Sequence, residues 1–167
     1  MGCVVLRPKT ISWPEKYHPD RTSVHVRNGL HIAAPAKSVW AWLVQAPKWP
    51  DWYSNSHNVC LQAEPSDQLG LGTRFTWRTF GVSIRSTVLE FVPHERLAWD
   101  ALGTGVDAYH AWLITPAPGG CHVLTEETQY GWAASLGNRI FPNRMSHFHQ
   151  IWLERLAVMA QTGSPSS

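Results

Sequence analysis

The sequence predicts an α+β fold in which a curved antiparallel β-sheet wraps around one long C-terminal helix. Short alternating runs of apolar and polar residues fill the stretch from Thr73 to Tyr130, and turns that contain Gly or Pro separate these runs. The longest helical pattern follows them. Because the connections are too short for crossovers, consecutive strands should pair antiparallel, and a binding site is expected between sheet and helix.

Composition favours one globular domain. A chain of 167 residues can bury roughly two-thirds of its unfolded surface. Hydrophobic residues make up 44% and charged residues 16% of the chain, which is typical of a folded protein. Core packing accounts for most of the ten tryptophans, but so many amphipathic rings also favour an apolar surface on which a ligand stacks.

Charge and cysteine content exclude several classes of protein. The net charge of +2 comes from scattered residues without a basic run, so no nucleic-acid partner is expected. Cys3, Cys60 and Cys121 are too widely spaced for a disulfide framework or a cysteine zinc site, which predicts a cytoplasmic location. No apolar stretch approaches the roughly 18 residues of a spanning helix, so no stable membrane insertion is expected.

The chain divides into an N-terminal extension over residues 1–22, a ligand-binding domain over residues 23–162 and a disordered tail over residues 163–167. The expected anchors of the extension on the domain are Trp13, Pro14, Tyr17 and Pro19.

The domain begins with a predicted strand, Ser23–Ala33, which is interrupted near Asn28. Pro35 can start a helix, whose apolar spacing continues until Pro47, and a second short helix or turn follows at 49–53. The later strands are predicted at Val59–Ala63, Gly70–Phe80, Val82–Val92, Arg96–Leu102, Val106–Thr115 and His122–Tyr130. A helix over Leu136–Gln161 closes the chain, and Pro142 should kink or restart it.

Several of these segments resemble one protein family. Residues 32–40 (IAAPAKSVW) are similar to the strand-to-helix signature of the START-like, Bet v1-like (SRPBCC) superfamily, and residues 49–53 (WPDWY) to the second-helix motif of its polyketide cyclase/dehydrase branch. The similarity continues at 71–77, 93–99 and 119–127 and spans about Val24–Ala160. The resemblance implies a helix-grip fold with two short helices after the first strand. It also implies a cavity that holds sterols, lipids, hormones or aromatic polyketides.

Alternation along the strands proposes which side chains face that cavity, because antiparallel partners add to a constant residue number. The favoured inner set is Phe75, Trp77, Thr79, Arg85, Thr87, Leu89, Ala98, Asp100, Ala108, His110, Trp112, Leu124, Glu126 and Thr128. It places Trp77 and Trp112 where they could sandwich a ligand. Both faces mix apolar and charged residues, so a shift of one residue would exchange them.

The inner set brings His110 together with Asp100 and Glu126 as candidate catalytic residues. A carboxylate can fix the tautomer of an imidazole and move its pKa, which makes the group a plausible acid-base unit. The alternative is a hydrogen-bonded bridge with no role in chemistry.

Candidate ligand-binding residues come from the rim, the inner set and the last helix. They are Trp49, Trp52, Tyr53, Phe75, Trp77, Arg85, Trp112, Met145, His149 and Trp152. His149 is the polar member of an otherwise apolar helical stripe. Because His147 and His149 are two residues apart on a helix and diverge, no metal site is expected, and no cofactor is implied.

The function has to be inferred from the expected cavity, because the sequence contains neither a nucleophile elbow nor a phosphate-binding loop. The leading hypothesis is a protein that binds a hydrophobic aromatic or polycyclic molecule. If it is an enzyme, it would be a cyclase or dehydratase of the lyase or isomerase type. The alternatives are a non-catalytic carrier or sensor of a lipid-like ligand, and a structural domain whose own side chains occupy the cavity.

Overall fold

The computed structural model of the chain describes residues 9–62 and 67–165. Four predicted features fall partly or wholly outside the described residues: the start of the extension, Cys3, the end of a strand at Ala63, and the last two residues of the tail.

Short helical turns, seven strands and four α-helices make up the described chain. The N-terminal segment forms two 3-10 turns, Glu15–Tyr17 and Pro19–Arg21, and a third lies at Ala46–Lys48. The strands are β1 (Val24–Ile32), β2 (His57–Leu61), β3 (Arg74–Thr79), β4 (Val82–Val92), β5 (Arg96–Gly103), β6 (Val106–Ala117) and β7 (Gly120–Tyr130). The helices are α1 (Ala36–Leu43), α2 (Trp49–Trp52), α3 (Trp132–Ile140) and α4 (Arg144–Thr162).

All seven strands form one antiparallel sheet in the order β1-β7-β6-β5-β4-β3-β2. Helix α4 lies across its inner face, and its buried stripe of His149, Trp152, Leu153 and Leu156 packs into the main hydrophobic core. The two short helices α1 and α2 follow β1. The predicted α+β helix-grip fold is therefore confirmed.

Strand β1 differs from its prediction, because it continues through Asn28 and Gly29, which pair with β7, instead of being interrupted there. Of the two predicted effects of Pro142, a kink or a restart of the C-terminal helix, the structure shows the restart, since the residue before a proline is pushed out of the helical conformation. Phe141 has φ −130° and ψ 68°, and this break separates α3 from α4.

Three hairpins have two-residue loops, and this decides which side chains face inward. The residue pairs that flank these loops are Thr79–Val82, Gly103–Val106 and Ala117–Gly120. A two-residue loop pairs residue n with residue n+3, so cross-strand partners always differ in parity. The predicted pairing joined residues of equal parity and is wrong by one residue.

Because of this error, the inner and outer faces were exchanged in the prediction for three strands, and they were correct for two. On β3 and β6 the predicted inner residues do face α4. On β4, β5 and β7 the predicted inner residues lie on the outer face instead: Arg85, Thr87, Leu89, Ala98, Asp100, Leu124, Glu126 and Thr128. Their neighbours Ile84, Trp99 and Glu127 face inward.

The outer face of the sheet is covered by the N-terminal segment. Trp13 and Tyr17, two of the predicted anchors, pack on this face, where Tyr17 stacks on Tyr109 with ring centroids 5.3 Å apart. The Thr128 hydroxyl donates to the Tyr17 carbonyl oxygen at 2.8 Å. Lys16 forms an ion pair with Asp107 at 2.6 Å. The sheet is thus buried on both faces near its centre.

Cys60 and Cys121 are free thiols. Within the described ranges, no helix combines the length and apolar character that crossing a bilayer requires.

At Gly120 the β6–β7 hairpin lies directly against the end of β1. A Cβ atom there would lie 2.0 Å from the carbonyl oxygen of Ile32, a backbone atom that cannot move without disturbing β1. At Gly119, with φ +75°, a Cβ atom would meet nothing within 4 Å. We expect Gly120→Ala to lower the free energy of unfolding by roughly 3 kcal/mol, and Gly119→Ala by about 1 kcal/mol from backbone strain alone. Urea denaturation of both variants measures this, and equal losses would contradict it.

Candidate functional site

A cavity of about 190 Å³ lies between the inner face of the sheet, α3 and the first half of α4. Most of its wall is apolar, and its polar groups come mainly from β6, β7 and α4. The lining side chains of the sheet and α2 are Tyr53, Trp77, Thr79, Phe80, Val82, Ile84, Ala101, Val106, His110, Glu127 and Gln129. Those of the two C-terminal helices are Ala133, Ala134, Asn138, Phe141, Arg144, Met145, His149 and Trp152.

Trp152 occupies the place where a ligand was expected to be sandwiched. Its indole lies 6.0 Å from Trp77 and 5.1 Å from Trp112 between ring centroids, and it stacks on Tyr53 at 4.4 Å. Trp49 and Trp99 complete this packed cluster. The protein's own rings therefore take up the deep part of the space between sheet and helix, and the cavity remains on the side nearer α3.

Three ionisable residues meet at the cavity wall: His110 on β6, Glu127 on β7 and His149 on α4. The Glu127 Oε2 atom is 3.1 Å from His110 Nδ1 and 3.1 Å from His149 Nε2. The two imidazole rings stack, with centroids 4.7 Å apart and an angle of 21° between their planes. All three side chains are buried. We call these residues the buried triad.

The hydrogen-bond partners assign the protons of the buried triad. An ionised carboxylate only accepts, so the two ring nitrogens that face Glu127 carry hydrogen. His149 Nε2 donates to the carboxylate, whereas His110 Nδ1 is in electrostatic contact with it. Gln129 Nε2 donates to the other carboxylate oxygen at 2.6 Å. His110 Nε2 then accepts from the Thr125 hydroxyl at 2.7 Å. His149 Nδ1 is a buried ring nitrogen that has no partner among the described residues.

Burial and neighbouring charge determine the protonation of the triad. Burial lowers the pKa of His110 to about 3, although the Glu127 carboxylate opposes this, so the ring is neutral near pH 7. Burial alone would raise the pKa of Glu127, but His110, His149 and Gln129 outweigh it and hold that pKa at about 2. The Glu127 carboxylate is therefore a buried negative charge whose hydrogen-bond donors are provided by the protein.

The triad is also a donor set that would suit a divalent metal. One ligand atom from each residue can be chosen so that all three lie within 4.8 Å of one another. Two imidazoles and a carboxylate are ligands that zinc and iron accept. The contacts described above are equally accounted for by protons alone, so the expectation of no metal stays a prediction.

The structure brings only one of the three predicted catalytic residues to the cavity. Asp100 lies on the outer face, where its Oδ1 accepts from the Thr87 amide at 2.6 Å. Glu126 also faces outward and accepts from His25 Nε2 at 2.7 Å. The register error explains both positions, since Glu127 takes the place predicted for Glu126. His110 lines the cavity as predicted, and its catalytic role stays a prediction.

The predicted ligand-binding residues divide into three groups. Tyr53, Trp77, Met145, His149 and Trp152 line the cavity. Buried in the core, and not in the cavity wall, are Trp49, Trp52, Phe75 and Trp112. Arg85 lies on the outer face because β4 is inverted relative to its prediction.

Sequence reasoning missed the residues at the cavity mouth. The Arg144 guanidinium lies 5.4 Å from the centroid of the Phe80 ring and 5.9 Å from that of Phe141, which are cation–π distances. These three residues, which we call the mouth cluster, join the β3–β4 turn to the break between α3 and α4. Phe80 has φ +50°. In the sequence, the adjacent Gly81 indicated a turn here but did not indicate that Phe80 would be part of the site.

Comparisons with known proteins identify relatives of the chain. The sequence profile of the family described as polyketide cyclase / dehydrase and lipid transport matches residues 23–158. No curated protein sequence matches. Hypothetical protein jhp0584 from Helicobacter pylori is 30% identical, with a TM-score of 0.86 over 93% of this chain and 98% of that one.

Two more distant structures share the fold. The Zhui aromatase/cyclase from Streptomyces sp. R1128 is 16% identical, with a TM-score of 0.66 over 83% of this chain and 93% of that one. Truncated norcoclaurine synthase from Thalictrum flavum is 13% identical, with a TM-score of 0.60 over 80% of this chain and 91% of that one.

The lowered pKa of His110 makes stability depend on pH. Between its ordinary value of 6.5 and about 3, the unfolded chain holds a proton that the folded protein does not. Stability is therefore complete above pH 6.5 and falls below it, by up to about 1.4 kcal/mol per pH unit. Glu127 adds a second loss below pH 4.5.

We expect His110→Gln to flatten the stability profile between pH 6.5 and 4.5, because the imidazole that titrates in this range is removed. Chemical denaturation over this pH range measures the slope. His57→Gln removes an exposed histidine and is the control, which should follow the wild-type profile. An unchanged slope in His110→Gln would contradict the assignment of a neutral, buried imidazole.

Proposed function

Because the chain belongs to the polyketide cyclase/dehydrase and lipid transport family, we propose that its cavity binds a small aromatic molecule and that His149 moves a proton on it. One observation carries this proposal. His149 Nδ1 is a buried nitrogen that contacts no partner within residues 9–62 and 67–165, and it belongs to a residue that lines the cavity, while Glu127 binds the other nitrogen of the same ring.

The size of the cavity supports a ligand of one or two rings. Its volume of about 190 Å³ is below the roughly 300 Å³ at which pockets for drug-sized ligands begin. It is larger than an engineered protein cavity of about 150 Å³ that binds benzene. A ring with small substituents therefore fits, whereas a larger polycyclic molecule would require Trp152 to move.

His149 has the arrangement of a general base with an orienting carboxylate. Glu127 accepts from Nε2–H and so leaves the lone pair on Nδ1, which can remove a proton from the ligand. The imidazolium that forms is then stabilised by the carboxylate 3.1 Å away. In a dehydration the same Nδ1–H would return its proton to the departing hydroxyl, which leaves as water.

His110 is the poorer candidate for direct proton transfer. Both of its ring nitrogens already have partners, Glu127 and Thr125, and burial keeps its pKa far below neutral. Through its electrostatic contact with Glu127 it helps to hold the carboxylate in place for His149, which makes it a positioning residue. The proposed reaction is a cyclisation or dehydration of the lyase or isomerase type.

The cytoplasmic location of the protein stays a prediction.

A non-catalytic carrier is the second candidate. The cavity wall is mostly apolar, and Trp152 Nε1 is a buried donor that has no partner among the described residues. A ligand could use this donor for orientation without any reaction.

Ring opening of 5-nitrobenzisoxazole tests the base directly. In this two-ring compound a base removes the C3 proton, the N–O bond breaks, and the product is 2-cyano-4-nitrophenolate. We expect the wild-type protein to accelerate the reaction and His149→Gln to lower kcat by at least about 100-fold with little change in KM. Absorbance of the phenolate measures the rate.

Adjacent glutamates provide a matched control. Glu127→Gln should reduce kcat because the ring is no longer oriented, whereas Glu126→Gln, on the outer face, should leave it unchanged. His110→Gln should cost less than His149→Gln. Wild-type activity in His149→Gln would overturn the assignment. Binding of the compound without any acceleration in the wild type would favour the carrier.

A further inference from the structure

Helix α3 exposes an unusual amount of apolar side chain. Trp132 is 68% exposed, Leu136 50%, Ile140 57% and Phe141 56%. The first three are spaced at i, i+4 and i+8 and therefore form one line along the helix. Half of the large hydrophobic residues that are exposed within the described ranges belong to this ten-residue stretch. We call the four residues the α3 stripe.

The stripe is not the face that α3 uses for folding. Ala134, on the other side of the helix, is buried, and together with Ala133 and Gly137 it lines the cavity. The helix thus has one apolar side toward the cavity and another toward solvent. A contiguous apolar surface that folding does not require is typical of an interaction site.

The charged side chains on α3 and at the start of α4 are positive. Arg139 lies seven residues, or two turns, after Trp132 and is exposed on the same side of the helix, and the exposed Arg144 follows at the start of α4. The sequence has no Asp or Glu between Glu127 and Glu154.

We propose that the α3 stripe docks on the surface of a lipid bilayer that contains anionic lipids. An apolar line that carries Trp and Phe, flanked by arginines, is the pattern of a helix that lies in the interface between lipid headgroups and acyl chains. Such docking is reversible and differs from insertion of a spanning helix.

A second copy of the chain fits the stripe less well. A helix of nine residues is roughly 13 Å long. The surface area of four side chains along such a helix is much smaller than the area of about 800 Å² that each partner of a stable interface buries. The bilayer needs no matching surface, and it complements both the apolar line and the positive charge.

Docking would bring the cavity close to an apolar phase. Phe141 belongs both to the stripe and to the mouth cluster, and α3 forms one wall of the cavity. A ligand dissolved in the bilayer could then enter beside α3. This consequence rests on the proposed function, whereas docking itself does not.

Flotation of the full chain with lipid vesicles tests docking without any ligand. We expect binding to vesicles of phosphatidylcholine mixed with phosphatidylglycerol, weaker binding to phosphatidylcholine alone, and loss of binding to the mixed vesicles as salt is raised. The double variant Trp132→Ser, Ile140→Ser should bind the mixed vesicles at least about tenfold more weakly. Arg139→Gln should bind about fivefold more weakly.

Two exposed apolar residues elsewhere provide matched controls. Leu71 is 70% exposed and Val158 is 50% exposed, and Leu71→Ser and Val158→Ser should bind like the wild type. Melting temperatures show whether every variant is folded. His149→Gln should also bind vesicles normally, so failure of the proposed reaction and failure of docking are distinguishable.

Three results would overturn the proposal. The first is no binding of the wild-type chain to either kind of vesicle. The second is equal binding by the wild type and the folded double variant. The third is a doubled mass in solution that the same double variant abolishes, which would assign the stripe to contact between two copies of the chain.

Discussion

One buried negative charge constrains the centre of this protein. A carboxylate such as Glu127 is costly to bury unless hydrogen-bond donors replace water. Here the donors are Gln129 from β7 itself and His149 from α4, and His110 from β6 lies in electrostatic contact with the carboxylate. The charge can therefore be accommodated only when α4 has the right position and rotation on the sheet. The same requirement places a hydrogen on His149 Nε2, while Nδ1 has no partner within the described part of the chain.

Tryptophan packing and ligand binding share the space between sheet and helix. Trp152 reaches from α4 into a cluster with Trp49, Trp99 and Trp112, and these large rings stabilise the grip of the sheet on the helix. What remains is a smaller cavity beside α3. Stability and ligand size are linked in this way, because a change that enlarges the cavity at Trp152 also removes core packing.

The strands and helices could be predicted from the sequence because turns and hydrophobic periodicity depend on residues that are close together in the chain. Gly and Pro marked the hairpins, and Pro35 and Pro142 marked helix boundaries. The faces of the strands could not be derived in the same way, since one residue in the length of a loop inverts them. His110 was correctly assigned to the inner face, yet its partner is Glu127 and not the adjacent Glu126.

The rest of the site depends on contacts between distant parts of the chain. His149 stood out as a polar residue on an apolar stripe, but no pattern in α4 indicates which strand its ring will meet. The mouth cluster is similar, because Phe80 and Arg144 are brought together only when the β3–β4 turn and α4 pack on the same end of the sheet. Sequence reasoning therefore found some members of the site without their partners.

The two-residue loops also restrict how this fold can vary during evolution. An insertion of one residue in such a turn would turn every inner side chain of the next strand outward. After the β5–β6 turn that strand carries His110, and after the β6–β7 turn it carries Glu127 itself. The β4–β5 connection differs. Its three-residue loop pairs Val92 with Arg96, so that partners next to the loop have equal parity. An irregularity between Val88 and Glu90 then shifts the register by one residue, and partners beyond it differ in parity again. Changes of length are consequently easiest where the sheet already contains a bulge, and the other turns should diverge by substitution alone.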